Sequence, residues 1–115
     1  MIGEDMGRGL LTDLELMVLL AVLRAGDEAY GVTVAREIEQ TAGRSVAVAV
    51  VYSTLDRLED RGLVVSTIGD PTPERGGRAK RYFRVTPRGL RQARDTRRAL
   101  SALWTGLPEL RGGEA

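Results

Sequence analysis

The chain has 115 residues, 43% of them hydrophobic and 29% charged, with a formal net charge of +1. That length and mix describe one small folded domain and exclude a disordered chain. The sequence has no Cys and no His, which excludes a disulfide framework, a thiolate zinc site and any Cys- or His-based nucleophile or general base.

Along the chain, residues 1–11 contain Gly3, Gly7 and Gly9 without hydrophobic periodicity and predict a mobile arm. Thr12-Asp13-Leu14-Glu15 matches a capping box, so a helix is expected from there to about Arg24, with Gly26 as its stop. Residues 16–23 of that helix are apolar all round, a pattern that needs cover on more than one side. This eight-residue run is the longest in the chain, and a membrane-spanning helix needs about 20. Glu4, Asp5 and Arg8 ahead of it do not suit a signal peptide, so a cytoplasmic protein with no membrane partner is expected.

A second helix is expected from Tyr30-Gly31 to Gly43, with Val34 or Ala35, Ile38 and Ala42 as its apolar stripe. Residues 45–51 are β-branched enough to begin as a short strand. From about Val48, however, the spacing Val51, Leu55, Leu58 is helical, and Gly62 suits its end. Ala49, Ser53, Asp56, Arg57 and Asp60 fall opposite that stripe, so the outward start of this third helix is small and uncharged. Strands are expected over 63–68 and 80–85, joined by a breaker-rich loop over 69–78. Thr86-Pro87 then caps a last helix running to about Leu107, before Pro108. Residues 108–115 are expected to be a disordered tail.

The charge of +1 conceals a segregation. Residues 75–98 carry nine Arg and one Lys against Asp95, a net of +9, whereas residues 1–74 sum to −7. Such a block points to a polyanionic partner, with a solvated helix face as the bland alternative. Part of it is the loop Arg75-Gly76-Gly77-Arg78 with Lys80 and Arg81, where two glycines allow backbone close to phosphates. The rest is an arginine face of the last helix: Arg88, Arg91, Arg94 and Arg98.

Three helices, a β-hairpin and a final helix in that order describe a mainly α, winged helix-turn-helix domain over 12–86, followed by a C-terminal helix over 87–107, to which the resemblance given next assigns dimerisation. The residues quoted next carry a resemblance: Ala29-Tyr30-Gly31, the stretch Val51-Tyr52-Ser53-Thr54-Leu55-Asp56-Arg57-Leu58-Glu59-Asp60-Arg61-Gly62-Leu63, and Arg75 to Gly89 with its Gly-Arg loop, Tyr82-Phe83 and Thr86-Pro87. Over about residues 10–104 the chain resembles the PadR-like transcriptional regulators. The resemblance implies a homodimeric DNA-binding regulator, usually a repressor, acting on a pseudo-palindromic operator. Half-sites of a two-fold dimer lie about 10 to 10.5 bp apart or a multiple of that.

Carried residue by residue, the resemblance assigns Tyr52 to the DNA backbone, with packing against the hairpin as the alternative. Ser53 and Arg57 project from the outward face of the third helix, and Arg57 has neighbouring carboxylates to pair with instead. Arg75, Arg78, Lys80 and Arg81 form the basic wing; Arg81, at a strand start, has the domain itself as its other direction. Tyr30 lies where the second helix faces phosphates, or is structural. Leu16, Leu19, Leu20 and Leu23 of the first helix and Leu100, Leu103, Trp104 and Leu107 of the last are the expected dimer interface. Some members of the family hold flat aromatic effectors there, but Trp104 reads as dimer core and no effector is assigned. No catalytic residue, metal or cofactor is expected. The alternative function is a winged helix that docks an acidic protein partner.

Overall fold

Thr12 opens the first helix as its sequence predicts: its Oγ1 accepts the Glu15 N–H at 3.1 Å, and Glu15 Oε1 accepts the Thr12 N–H at 2.9 Å. A computed structural model describes residues 9–69 and 79–111. Its elements are α1 (Asp13–Ala25), a 3-10 turn (Gly26–Glu28), α2 (Gly31–Ala42), α3 (Val48–Asp60), β1 (Val64–Ile68), β2 (Arg81–Val85), α4 (Pro87–Trp104) and α5 (Pro108–Arg111). This is a winged helix-turn-helix domain, mainly α with one antiparallel hairpin.

Residues 45–47 form no strand, and α3 begins at Val48. The β-branched signal there lacks a partner: the sheet pairs only β1 with β2, from Val64↔Val85 to Ile68↔Arg81. Gly43 ends α2 in the left-handed region (φ 69°), where a side chain would be strained, and so turns the chain toward α3. The strand β2 is also held from its other edge, where the Phe83 N–H donates to the Ala29 carbonyl at 2.9 Å.

The core lies where α1, α2 and α3 meet the hairpin. Val18, Leu19, Val34, Val51, Leu55, Leu58, Leu63 and Phe83 are its fully or almost fully buried centre. Tyr82, on the opposite face of β2, stays half-buried. Three expectations change toward the chain ends. Leu11, expected within a mobile arm, is buried, and its N–H donates to Thr96 Oγ1 of α4 at 3.0 Å; a buried amide needs such an acceptor. The last helix stops at Trp104, not Leu107: Thr105 turns extended (φ −65°, ψ 136°) and Gly106 follows at φ 85°. Residues 108–111, expected to be disordered, form the single turn α5, while residues 112–115 lie outside the described residues.

A buried polar contact ties these parts together. Glu15, almost fully buried in α1, accepts from Arg61 Nη1 at 3.5 Å, and Arg61 Nη2 donates to Gln92 Oε1 of α4 at 3.2 Å. Among the described residues, no helix is long and apolar enough to cross a membrane.

Candidate nucleic-acid interface

The outward start of α3 is built as its composition predicts. Ala47, Val48, Ala49, Val50 and Ser53 are all exposed, and no acidic residue occupies the first turn. Only small side chains allow a helix to lie close against another surface, and a major groove about 12 Å wide admits one. Ser53 Oγ donates to the Val50 carbonyl at 3.0 Å, which leaves its lone pairs facing outward. Arg57, one turn further along, is exposed; its Nη2 reaches Thr54 Oγ1 at 3.4 Å, a long contact, and no carboxylate pairs with it among the described residues.

Tyr52 is half-buried and lies across the start of α2. A Cβ built on Gly31 would fall 2.3 Å from the Tyr52 ring, so glycine there is what lets the ring in. Tyr30, the residue before Gly31, meets Tyr82 edge to face with centroids 5.5 Å apart. Lys80 Nζ sits 4.3 Å from the Tyr30 ring centroid, a cation–π contact worth about 0.5–1 kcal/mol at an exposed site. All three tyrosines of the chain are thus placed around the α2 start and the hairpin, and Lys80 is positioned beside them. Sequence reading singled out Tyr30, Tyr52 and Lys80 but gave no sign that glycine at 31 makes their arrangement possible.

Arg81 turns away from this surface. Its Nη1 donates to Asp56 at 2.9 Å, its Nη2 to Glu59 at 2.5 Å and its Nε to Ser66 Oγ at 3.3 Å, and the guanidinium lies over the Phe83 ring. Of the two directions open to Arg81 in the sequence, the structure therefore has it facing the domain. Burial lowers its pKa, but the hydrogen bonds and charges of Asp56 and Glu59 outweigh that and raise it. Arg75 and Arg78 of the expected basic wing lie outside the described residues.

Glu59 has its pKa drawn below the ordinary 4.5, chiefly by the Ser66 hydroxyl and then by Arg81, with burial opposing. A carboxylate whose folded pKa is depressed adds stability above its unfolded pKa, and that stability is lost as the pH falls through the folded value. Stability should therefore decline as acid is added below about pH 5, and Glu59→Gln should flatten the decline. Denaturant midpoints measured across that range check this; equal declines in the two proteins would remove Glu59 as a contributor.

The expected dimer residues divide. Leu19 has no accessible surface and belongs to the subunit's own core. Leu20, Leu23, Leu100, Leu103, Trp104 and Leu107 are exposed, and Leu16 is half-buried. They line two adjoining grooves. One, of about 240 Å³, runs between α1 and α4 past Leu16, Leu20, Leu23 and Leu90. The other, of about 410 Å³, is lined by Leu16, Leu100, Leu103, Trp104, Leu107 and Leu110. Leu16 and Arg97 border both.

This arrangement of helices and hairpin has known counterparts. The profile of the Transcriptional regulator PadR-like family matches residues 19–95. The chain is a member of the PadR family of DNA-binding transcriptional regulators. It is 36% identical over 93 residues to the transcriptional regulator Rv3488 of Mycobacterium tuberculosis, covering 79% of this chain and 78% of that one. Among solved structures, a PadR family regulator from Eggerthella lenta superposes with a TM-score of 0.69 at 25% identity, covering 95% of this chain and 88% of the other. A PadR-like transcription factor from Bacteroides fragilis has the same fold, with a TM-score of 0.61 at 23% identity over 99% of this chain and 98% of its own. The matched residues 19–95 include α3 and both strands of the hairpin.

Proposed function

We propose that this PadR-family protein is a homodimeric, sequence-specific repressor that acts in the cytoplasm on a pseudo-palindromic operator. Each α3 enters a major groove, with Ser53 and Arg57 against the DNA and Tyr52 and Tyr30 beside the backbone. Lys80 faces the phosphates next to them, and Arg75 and Arg78 join it on sequence grounds. The observation that carries this reading is the exposed α3 start, where five small or β-branched uncharged side chains precede the exposed Arg57 on the same helix. An acidic protein partner would need no such narrow uncharged ridge. Dimerisation supports repression by occupancy, since two half-sites bound together hold a promoter more firmly than one.

Selection of duplexes from random DNA at two salt concentrations tests the reading. An enriched palindrome whose affinity falls steeply with salt is expected, and recovery of no motif would favour the protein-docking alternative. On the enriched duplex, Lys80→Ala should weaken binding to all sequences alike and lower the salt slope by about one. A variant whose salt slope equals that of wild type would take Lys80 out of the interface.

A further inference from the structure

We infer that Arg81 is the positioning residue that fixes β2 of the hairpin on α3 and masks two carboxylates on the helix proposed to approach DNA, and that it does not bind phosphate itself. This rests on the DNA-binding reading above and concerns how the binding surface is held in shape.

Arg81 pairs with Ile68 in the last rung of the β1–β2 ladder, so it stands where the chain leaves the hairpin core for the wing. From there it reaches α3. Asp56 and Glu59 are three residues apart and therefore project from the same side of that helix. The planar guanidinium spans them, with one terminal nitrogen on each carboxylate. Its remaining nitrogen reaches Ser66 Oγ on β1, and the Ser66 hydroxyl donates to the second oxygen of Glu59 at 2.8 Å. The Phe83 ring supports the group from below, with its centroid 4.8 Å from the guanidinium carbon. One side chain thus connects α3, β1 and β2: each of its three nitrogens has a partner inside the domain, and its charge is committed to two carboxylates.

The electrostatic consequence is as large as the geometric one. Asp56 and Glu59 are on the helix proposed to approach DNA, and the Asp56 side chain is 56% exposed. Unmasked, the two would repel phosphates within about a Debye length of 8 Å. Arg81 neutralises part of that charge while holding β2, and with it Lys80, at a set distance from α3. Lysine could not replace it, because a compact ammonium cannot span two carboxylates in a plane and stack on an aromatic ring.

The experiment compares full-length wild type with Arg81→Gln, Arg81→Lys and Glu59→Gln. The probes are the duplex that wild type enriches from random DNA and a scrambled duplex of the same composition, each titrated over a range of salt. For both Arg81 variants the preference for the enriched duplex should fall by about threefold to tenfold, and in Arg81→Lys, which keeps the charge, the salt slope should stay at the wild-type value. Glu59→Gln should bind the scrambled duplex more tightly, having lost a negative charge, and still lose preference for the enriched one. Replacing a half-buried carboxylate by an isosteric amide keeps this arm informative if the Arg81 variants prove unstable to melting. A salt slope lower by about one with preference unchanged in Arg81→Gln would make Arg81 a phosphate contact and overturn the inference. Full preference retained by Arg81→Lys or by Glu59→Gln would overturn it as well. If wild type itself enriches no duplex, the DNA-binding reading fails and this inference fails with it, a result distinct from any loss confined to the variants.

Discussion

Gly89→Ala is expected to destabilise the protein by about 2–3 kcal/mol, a shift in melting temperature of roughly 10–20 °C for a domain of this size. A Cβ at this position would fall 2.2 Å from the Leu63 carbonyl oxygen, 3.1 Å from its carbon and 2.8 Å from Val85 Cγ1. The carbonyl cannot step aside cheaply. It accepts the Thr86 N–H at 3.0 Å, the Leu63 N–H donates to Leu58 at 2.9 Å, and the Leu63 side chain is fully buried. Alanine has the better helix propensity, but that advantage is at most about 1 kcal/mol, and position 89 lies in the first turn, where the Gly89 N–H already serves the Thr86 cap. The clash therefore wins. Urea unfolding with an unchanged m-value and a lowered midpoint is the expected record; a wild-type midpoint would mean that α4 can lift away from Leu63 without loss.

Local signals in the sequence were strong where a backbone group needed a side chain nearby. Thr12 with Glu15, and Thr86 with Pro87, announce their helix starts because the capping partners are only three residues apart, and both caps form. The α3 stripe of Val51, Leu55 and Leu58 is likewise local, and all three are buried. What the sequence conceals is contact between distant segments. Leu19 sits in the same apolar run as Leu20 and Leu23, and only the packing of α2 and β2 against α1 decides that Leu19 is core while its neighbours are exposed. Arg81 reads as one more cation of a basic block until Asp56 and Glu59, more than twenty residues earlier, are brought beneath it. Gly31 and Gly89 read as helix-start glycines, yet each leaves room for something far away: the Tyr52 ring in one case and the Leu63 backbone in the other.

The same separation applies to charge. The ten cations of residues 75–98 do not act as one patch. Arg81 is consumed by the domain's own carboxylates, and Lys80 is placed beside the tyrosines. Arg88, Arg91, Arg94 and Arg98 are exposed along α4, with Arg98 Nη1 3.3 Å from Asp95. Arg97 borders both leucine grooves, and Arg94 borders one of them as well. A net charge for the block counts these together, although they stand on different parts of the fold.

Leu103→Asp is expected to convert the proposed dimer to a monomer and to weaken binding to the selected duplex by about 10²- to 10⁴-fold, because each half-site must then be occupied independently. Leu103 is 74% exposed on α4, beside Trp104 and the groove that Leu16 and Leu110 complete. In the isolated subunit an aspartate there stays in water, and its cost is small, within about 0.5 kcal/mol as for other surface changes. Across a two-fold interface the same aspartate would be desolvated without a partner, and by symmetry it would occur twice. The change thus separates subunit folding from assembly. Sedimentation should report a single monomeric species, and the helical circular dichroism should be kept. The melting temperature should no longer depend on protein concentration, as it does when folding and dimerisation are linked. A variant that still sediments as a dimer would place the interface away from this groove. A monomer that binds the selected duplex as tightly as wild type would show that one winged helix suffices, and the two-fold operator would have to be given up.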